Sequence, residues 1–299
     1  MDSLAPNTRK AYFGAIRRWR SGDSPEYPVT TTGAACYLAS LRRRGSSANV
    51  LKTAKAALRW LHLATGHPDP TDCFAVTSIV NAARRQPKQP SSRKLPIPPD
   101  VLRQILDVYA RPNASLYELR TATLVSLGYY GFFRFSEMAA IRGSDLRRTE
   151  DGIIIHVAHS KTDQERQGDE VVIAKTGGSY CPVELLIRYC ETGKTSFEQA
   201  VPIFRGITRL GGEFQLNSKT LTYSRARELF IQALERVDCP SNPFGLHSLR
   251  AGGATAAARA GVPERLFKRH GRWASDTAKN NYIEEAMNDR LNVTRLLRL

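Results

Sequence analysis

HSLRAGGATAAARAGVPERLFKRHGRWASDTAKNNYIEEA, residues 247–286, is the stretch on which the reading of this chain turns. Its composition predicts helices near 249–260, 263–270 and 276–286. The opening motif His247-Ser248-Leu249-Arg250 sets an imidazole and a guanidinium three residues apart, on one side of a helical turn. In an arginine-rich chain such a pair arises by chance, so alone it says little. Tyr282, within NNYIEEA, is one of 11 tyrosines. A tyrosine on an amphipathic helix is ordinarily a packed aromatic.

The rest of residues 100–299 reads as mixed but mostly helical. Asp100 is expected to cap a helix through Tyr109, a longer helix runs from Leu116 to Gly131, and Arg134 to Ile141 continues helically. Gly152–Ser160 (GIIIHVAHS) and Asp169–Lys175 (DEVVIAK) are rich in β-branched residues and predict strands joined by the polar hairpin KTDQERQG. Helices follow near 182–191 and 222–237. Arg134 stands in the aromatic run YYGFFRF, where a charge needs a reason.

The first 86 residues read as four short helices. Asn7 or Thr8 caps the first, which runs through Trp19. Thr31 or Thr32 begins the second, which ends at Leu41 and is closed by Gly45. Ser47 opens the third, with apolar residues at three- and four-residue steps, and Thr71 or Asp72 starts a fourth that ends near Arg85. The segment Gln86–Pro99 (QPKQPSSRKLPIPP) is too rich in proline for a helix and has no apolar periodicity to give it a core. The expected division is therefore a helical domain over 1–86, a basic linker over 87–99 and a second domain over 100–299.

The chain has 44 Lys+Arg against 28 Asp+Glu, a net charge of +16. Residues 1–90 hold 14 Lys+Arg and 5 Asp+Glu, and so carry +9 of that excess. Such a balance calls for a polyanionic partner, because neutralising phosphates releases condensed counterions. There is no run of eighteen apolar residues to cross a membrane, and Met1–Arg20 does not read as a secretory signal. Nucleic acid is the better partner. Arg42, Arg43, Arg44, Lys52, Lys55, Arg59 and Lys88 are the candidate DNA contacts. The five cysteines are scattered, at no metal-ligand spacing, and read as reduced thiols.

Cleaving and resealing a phosphodiester without hydrolysis needs a nucleophile that holds the phosphate covalently and cations on its non-bridging oxygens. It also needs a proton donor for the departing oxygen and a base for the nucleophile. Without a metal, the cations are arginines, whose planar forks match phosphate oxygens in pairs. Gly131–Leu146 (GFFRFSEMAAIRGSDL) resembles the first arginine box of the tyrosine recombinase (phage integrase) family. The stretch from His247 to Tyr282 resembles its second box, with spacings similar to those of the Cre-like branch and a wording closer to eukaryotic mobile elements than to bacterial enzymes. The resemblance covers most of residues 100–299, and the N-terminal stretch resembles the family's SAM-like, helical core-binding domain.

The resemblance implies a mainly α fold with a small β-sheet, built as an N-terminal helical bundle followed by a tyrosine recombinase catalytic domain. It implies that Tyr282 is the nucleophile, joined to DNA through a 3′-phosphotyrosine. Arg134 and Arg250 then clamp the scissile phosphate, and His247 serves as general base or acid. Lys161 protonates the leaving 5′ oxygen, a role for which Arg166 and Lys175 compete. Trp273 stands where many members have histidine, its indole N–H able to reach a phosphate. Glu137 holds Arg134 in place, and His270, three residues from Trp273, is structural or DNA-facing. No cofactor is implied.

The partner implied is double-stranded DNA, bound by a tetramer on two sites that is a monomer or weak dimer when free. The apolar tail, Leu291–Leu299, either packs on its own domain or docks on a neighbouring subunit. A type IB topoisomerase and a catalytically inactive DNA-binding accessory protein are the competing readings. The expected location is intracellular, nuclear in a eukaryote and with the nucleoid in a bacterium.

Overall fold

The computed structural model describes residues 4–22, 26–86, 94–158, 168–280 and 295. The chain divides into two compact units, Met1–Ser91 and Ser92–Leu299.

The first unit contains four helices, α1 (Pro6–Arg20), α2 (Thr31–Arg43), α3 (Ala48–Ala64) and α4 (Phe74–Arg85). Their apolar faces meet in a core that includes Trp19, Leu38, Leu51, Leu58 and Val76. The first and last helices begin elsewhere than expected. Ala5 precedes α1, because Pro6 at the first helical position already has the required φ and no N–H to satisfy. Cys73, not Thr71 or Asp72, caps α4, since Asp69 Oδ1 accepts both the Thr71 N–H (2.9 Å) and its hydroxyl (2.7 Å). The caps of α2 and α3 are Thr30 and Ser47, each accepting a backbone N–H through its side chain. Helix α2 continues two residues past Leu41, to Arg43.

The second unit opens on α5 (Pro99–Tyr109), capped by Pro98 instead of Asp100, then α6 (Leu116–Tyr130) and the short α7 (Phe135–Ala140). Three antiparallel strands follow, β1 (Leu146–Arg148), β2 (Gly152–Val157) and β3 (Asp169–Ala174), in the order β1-β2-β3. Helix α8 (Pro182–Thr192) leads to a hairpin of β4 (Arg205–Leu210) and β5 (Glu213–Thr220). Then come α9 (Tyr223–Glu235), α10 (Leu246–Arg259), α11 (Glu264–His270) and α12 (Asp276–Asn280). The fold is mainly helical with small antiparallel sheets. Among the described residues no helix is long and apolar enough to cross a membrane.

Helix α6 is the axis of this unit, buried without a break from Leu119 to Tyr129. It lies so close to α10 that a Cβ at Gly253 would stand 2.0 Å from the Tyr129 carbonyl. The segment 94–98, expected as linker, is tied to this unit, and its Ile97 belongs to the core. Ile97 is buried, its N–H donating to Ser248 O, while the Leu95 N–H donates to Pro243 O. One isoleucine between prolines shows no periodicity, yet it fixes the start of α10, which begins at Leu246 instead of near 249. The hairpin β4–β5 was not expected, although Gly211 and Gly212 both have positive φ, as a tight turn of mirror-image type requires.

Candidate active site

The site assembles where the first turn of α10, the start of α7 and the segment 270–273 converge. The early start of α10 puts His247 and Arg250 one turn apart on a continuous helix. Ser248 secures that start, its Oγ accepting the Gly245 N–H at 3.0 Å. His247 is exposed, whereas Arg250 is fully buried. The Arg250 guanidinium is held by main chain: Nη1 donates to Phe132 O, and Nη2 donates to Gly271 O at 2.6 Å.

Arg134 caps α7, with 12% of its side chain exposed. Its Nη1 donates to Glu137 Oε1 at 2.7 Å, and its backbone N–H donates to Oε2 at 2.9 Å. A carboxylate three residues into a helix that reaches back to the capping N–H is a common closure of a helix start. Here the same carboxylate also aims a guanidinium.

Glu137 is therefore shared. Its side chain is 1% exposed and faces three guanidiniums: Arg134, Arg272 at 2.8 Å and Arg250 at 3.9 Å. Burial pushes its carboxyl up, but Arg272, the Arg134 N–H, Arg134 and Arg250 outweigh that and hold it below the ordinary value. Three guanidiniums around one carboxylate leave an excess of positive charge, suited to receiving an anion.

Trp273 is 4% exposed and packs with Phe132, Phe267 and Ala254. The Arg250 guanidinium lies over its ring, 4.8 Å from the centroid. Its Nε1 is buried, so in this structure the indole faces the arginine and the aromatic cluster, away from solvent. His270 is a structural group. Its Nε2 lies 2.8 Å from Tyr130 O and so carries the proton, and burial pushes its pKa down.

Arg134, Glu137, Arg250 and Trp273 are thus brought together from both sequence boxes, with His247 exposed one turn before Arg250. Tyr282, Lys161 and Lys88 lie outside the described residues, as does the apolar tail apart from Arg295. In the first unit Arg43, Arg44, Lys52 and Arg59 are exposed and Arg42 and Lys55 half-buried. Arg59 Nε also pairs with Asp69 at 3.4 Å. The residue that sequence reasoning missed is Arg272, buried beside Glu137. Its signal was the one that singled out Arg134: a charge in a stretch whose neighbours, Phe267 and Trp273, belong to a core.

No protein-family model matches the chain. Over 296 residues it is 29% identical to the integrase/recombinase xerD homolog of Selenomonas ruminantium, an alignment covering 95% of this chain and 83% of that protein. Over 314 residues it is 22% identical to recombinase cre of Escherichia phage P1, covering 99% and 89%. Among solved structures, the fold is similar to the Tn1549 transposon integrase in complex with circular intermediate DNA. The TM-score is 0.64 and the identity 15%, over 98% of this chain and 94% of that one. A lambda integrase dimer bound to a COC′ core site gives a TM-score of 0.61 at 18% identity, over 97% and 91%.

Proposed function

The chain belongs to the tyrosine recombinase family, and from that premise we propose that it is a site-specific DNA recombinase or integrase. One observation carries this reading: two sequence boxes more than a hundred residues apart deliver Arg134, Arg250 and Trp273 to one buried cluster around Glu137.

In the reaction, Tyr282 Oη attacks the scissile phosphorus and loses its proton to His247. Arg134 and Arg250 neutralise the charge on the non-bridging oxygens of the five-coordinate state. Lys161 gives a proton to the departing 5′ oxygen. The product is a 3′-phosphotyrosine and a free 5′-hydroxyl, and attack by the 5′-hydroxyl of the other duplex reverses the step to form a Holliday junction. The phosphotyrosine conserves the phosphodiester linkage, so the scheme requires neither ATP nor a metal. Arg134 keeps 12% of its side chain exposed and His247 is exposed, whereas Arg250 is buried.

Double-stranded DNA is the proposed partner, gripped by the basic first unit through Arg42, Arg43, Arg44, Lys52, Lys55, Arg59 and Lys88. Two sites are held by a tetramer. The protein works where its DNA lies, the nucleus of a eukaryotic host or the nucleoid of a bacterial one. The relatives named recombinase and integrase support this reading. The test uses two plasmids that carry its target. Exchange of flanking DNA, lost in Tyr282→Phe, is expected. Relaxation of supercoils without exchange would move the assignment to a type IB topoisomerase.

A further inference from the structure

Arg272 occupies backbone that an arginine ordinarily avoids. Its φ is +53°, in the left-handed region where glycine is at ease and other residues are strained. Its side chain turns inward, and the residue is 5% exposed. A buried guanidinium is heavily penalised unless its donors are met. Here Nη1 donates to His270 O at 2.9 Å and Gly131 O at 3.2 Å, and Nη2 donates to Glu137 Oε2 at 2.8 Å and Phe132 O at 3.1 Å. The guanidinium also lies over the Phe133 ring, 4.9 Å from its centroid. Glycine at this position would avoid both the strain and the burial.

These partners explain what the arginine does. Apart from His270, they all belong to residues 131–137, where Arg134 and its carboxylate sit. Glu137 makes no hydrogen bond to Arg250, whose Nη1 is 3.9 Å from Oε2 and donates to Phe132 O. From the second box, the guanidinium that hydrogen-bonds Glu137 is that of Arg272, while Arg250 stays at the longer ion-pair distance. Phe132 O accepts from both Arg250 and Arg272. Arg272 therefore grips the carboxylate that aims Arg134 and the carbonyl that anchors Arg250.

We infer that Arg272 is a positioning residue that aligns Arg134 through Glu137 and Arg250 through the Phe132 carbonyl, without touching the phosphate itself. This rests on the recombinase reading. It deepens that reading by adding a third arginine, one that locks the two boxes together. The positive charge of Arg272 also opposes the burial that would otherwise neutralise Glu137.

The test compares the full-length protein with Arg272→Gly, Arg272→Met and Arg272→Lys, in single-turnover cleavage of nicked duplexes with a randomised core and in DNA affinity at fixed salt. Arg272→Gly removes the side chain while easing the backbone. It should bind DNA within about threefold of the wild type, since affinity is spread over many phosphates, yet cleave about 100-fold more slowly. Arg272→Met should show the same split and gain an acid limb in its pH–rate profile as Glu137 protonates more readily, a limb absent from Arg272→Met/Glu137→Gln. Should either variant fail to fold, Arg272→Lys, which keeps the charge but not the fork, carries the same comparison. Cleavage within about threefold of wild type in Arg272→Gly, or a parallel loss of binding and cleavage, would overturn the inference. Absence of any covalent adduct in the wild type would instead sink the recombinase reading. In that case the arginine–carboxylate link is read without DNA, from a carboxyl ¹³C titration of Glu137. A higher midpoint in Arg272→Met, which removes the charge, supports the link, and an unchanged one refutes it.

Discussion

The guanidinium of Arg250 lies over the indole of Trp273, 4.8 Å from the ring centroid, while its Nη2 donates to the carbonyl of Gly271, two residues earlier. The ring and the carbonyl belong to one turn of chain, so the segment that supplies the tryptophan also fixes the arginine. The indole serves as a floor beneath the guanidinium. A Cβ at Gly271 would meet that ring at 1.9 Å, which accounts for glycine next to an arginine and a tryptophan.

If the ring is a floor, its face matters more than its N–H. Trp273→Phe keeps a face under Arg250 and should retain cleavage within about tenfold of the wild type, whereas Trp273→Ala should lose about 100-fold. Suicide-duplex cleavage by the three proteins checks this. Equal losses in the two variants would return the role to the indole N–H.

Glu137→Gln leaves three guanidiniums without their carboxylate and should lower the unfolding free energy by about 3–5 kcal/mol. The folded carboxyl lies below its ordinary value of 4.5. Its contribution is therefore fully present above that pH and is lost as the pH falls through the folded value. Denaturant titrations should show wild-type stability dropping across this acid window, with a shallower drop in Glu137→Gln. Superimposable slopes would mean that Glu137 is not held ionised.

Gly253→Ala would force α10 off α6, since the new methyl stands 2.0 Å from Tyr129 O and 2.7 Å from the Phe132 ring. A loss of about 1–3 kcal/mol or more is expected from such overpacking. Gly178→Ala, with nothing within 4 Å, should stay within about 0.5 kcal/mol of wild type. Thermal melts of the pair check the close approach, and equal melting points would refute it.

Replacing Arg42, Arg43 and Arg44 together by alanine should weaken DNA binding and flatten its dependence on salt, by about 0.9 in the log–log slope for each phosphate contact removed. Binding isotherms at several salt concentrations measure that slope. An unchanged slope would take these arginines off the DNA.

Much of the site was legible because its motifs are local. Arg134 and Glu137 share one helix start, and His247 and Arg250 share one turn. Their meeting is carried by α6 and α10, whose composition predicted helices, although α10 begins three residues earlier than expected, at Leu246. Arg272 carried a local signal, a charge beside Trp273, but its partner lies 135 residues away, and no local pattern records that pairing. The hairpin β4–β5 escaped for a different reason. Its residues are largely exposed, so they lack the apolar alternation that marks a half-buried strand, and only the Gly211-Gly212 turn signalled it. Ile97 shows the converse, a single core residue inside a segment whose composition reads as linker.

Tyr282 is the proposed point of covalent attachment to DNA. Incubating the full-length protein with nicked duplexes of randomised core, then digesting and mapping the trapped adduct by mass spectrometry, tests it directly. A phosphodeoxyribonucleotide is expected on the peptide containing Tyr282, absent from Tyr282→Phe and about 100-fold or more reduced in Arg250→Lys, which keeps the charge but loses the fork. No adduct in the wild type, or an adduct that survives Tyr282→Phe, would contradict it.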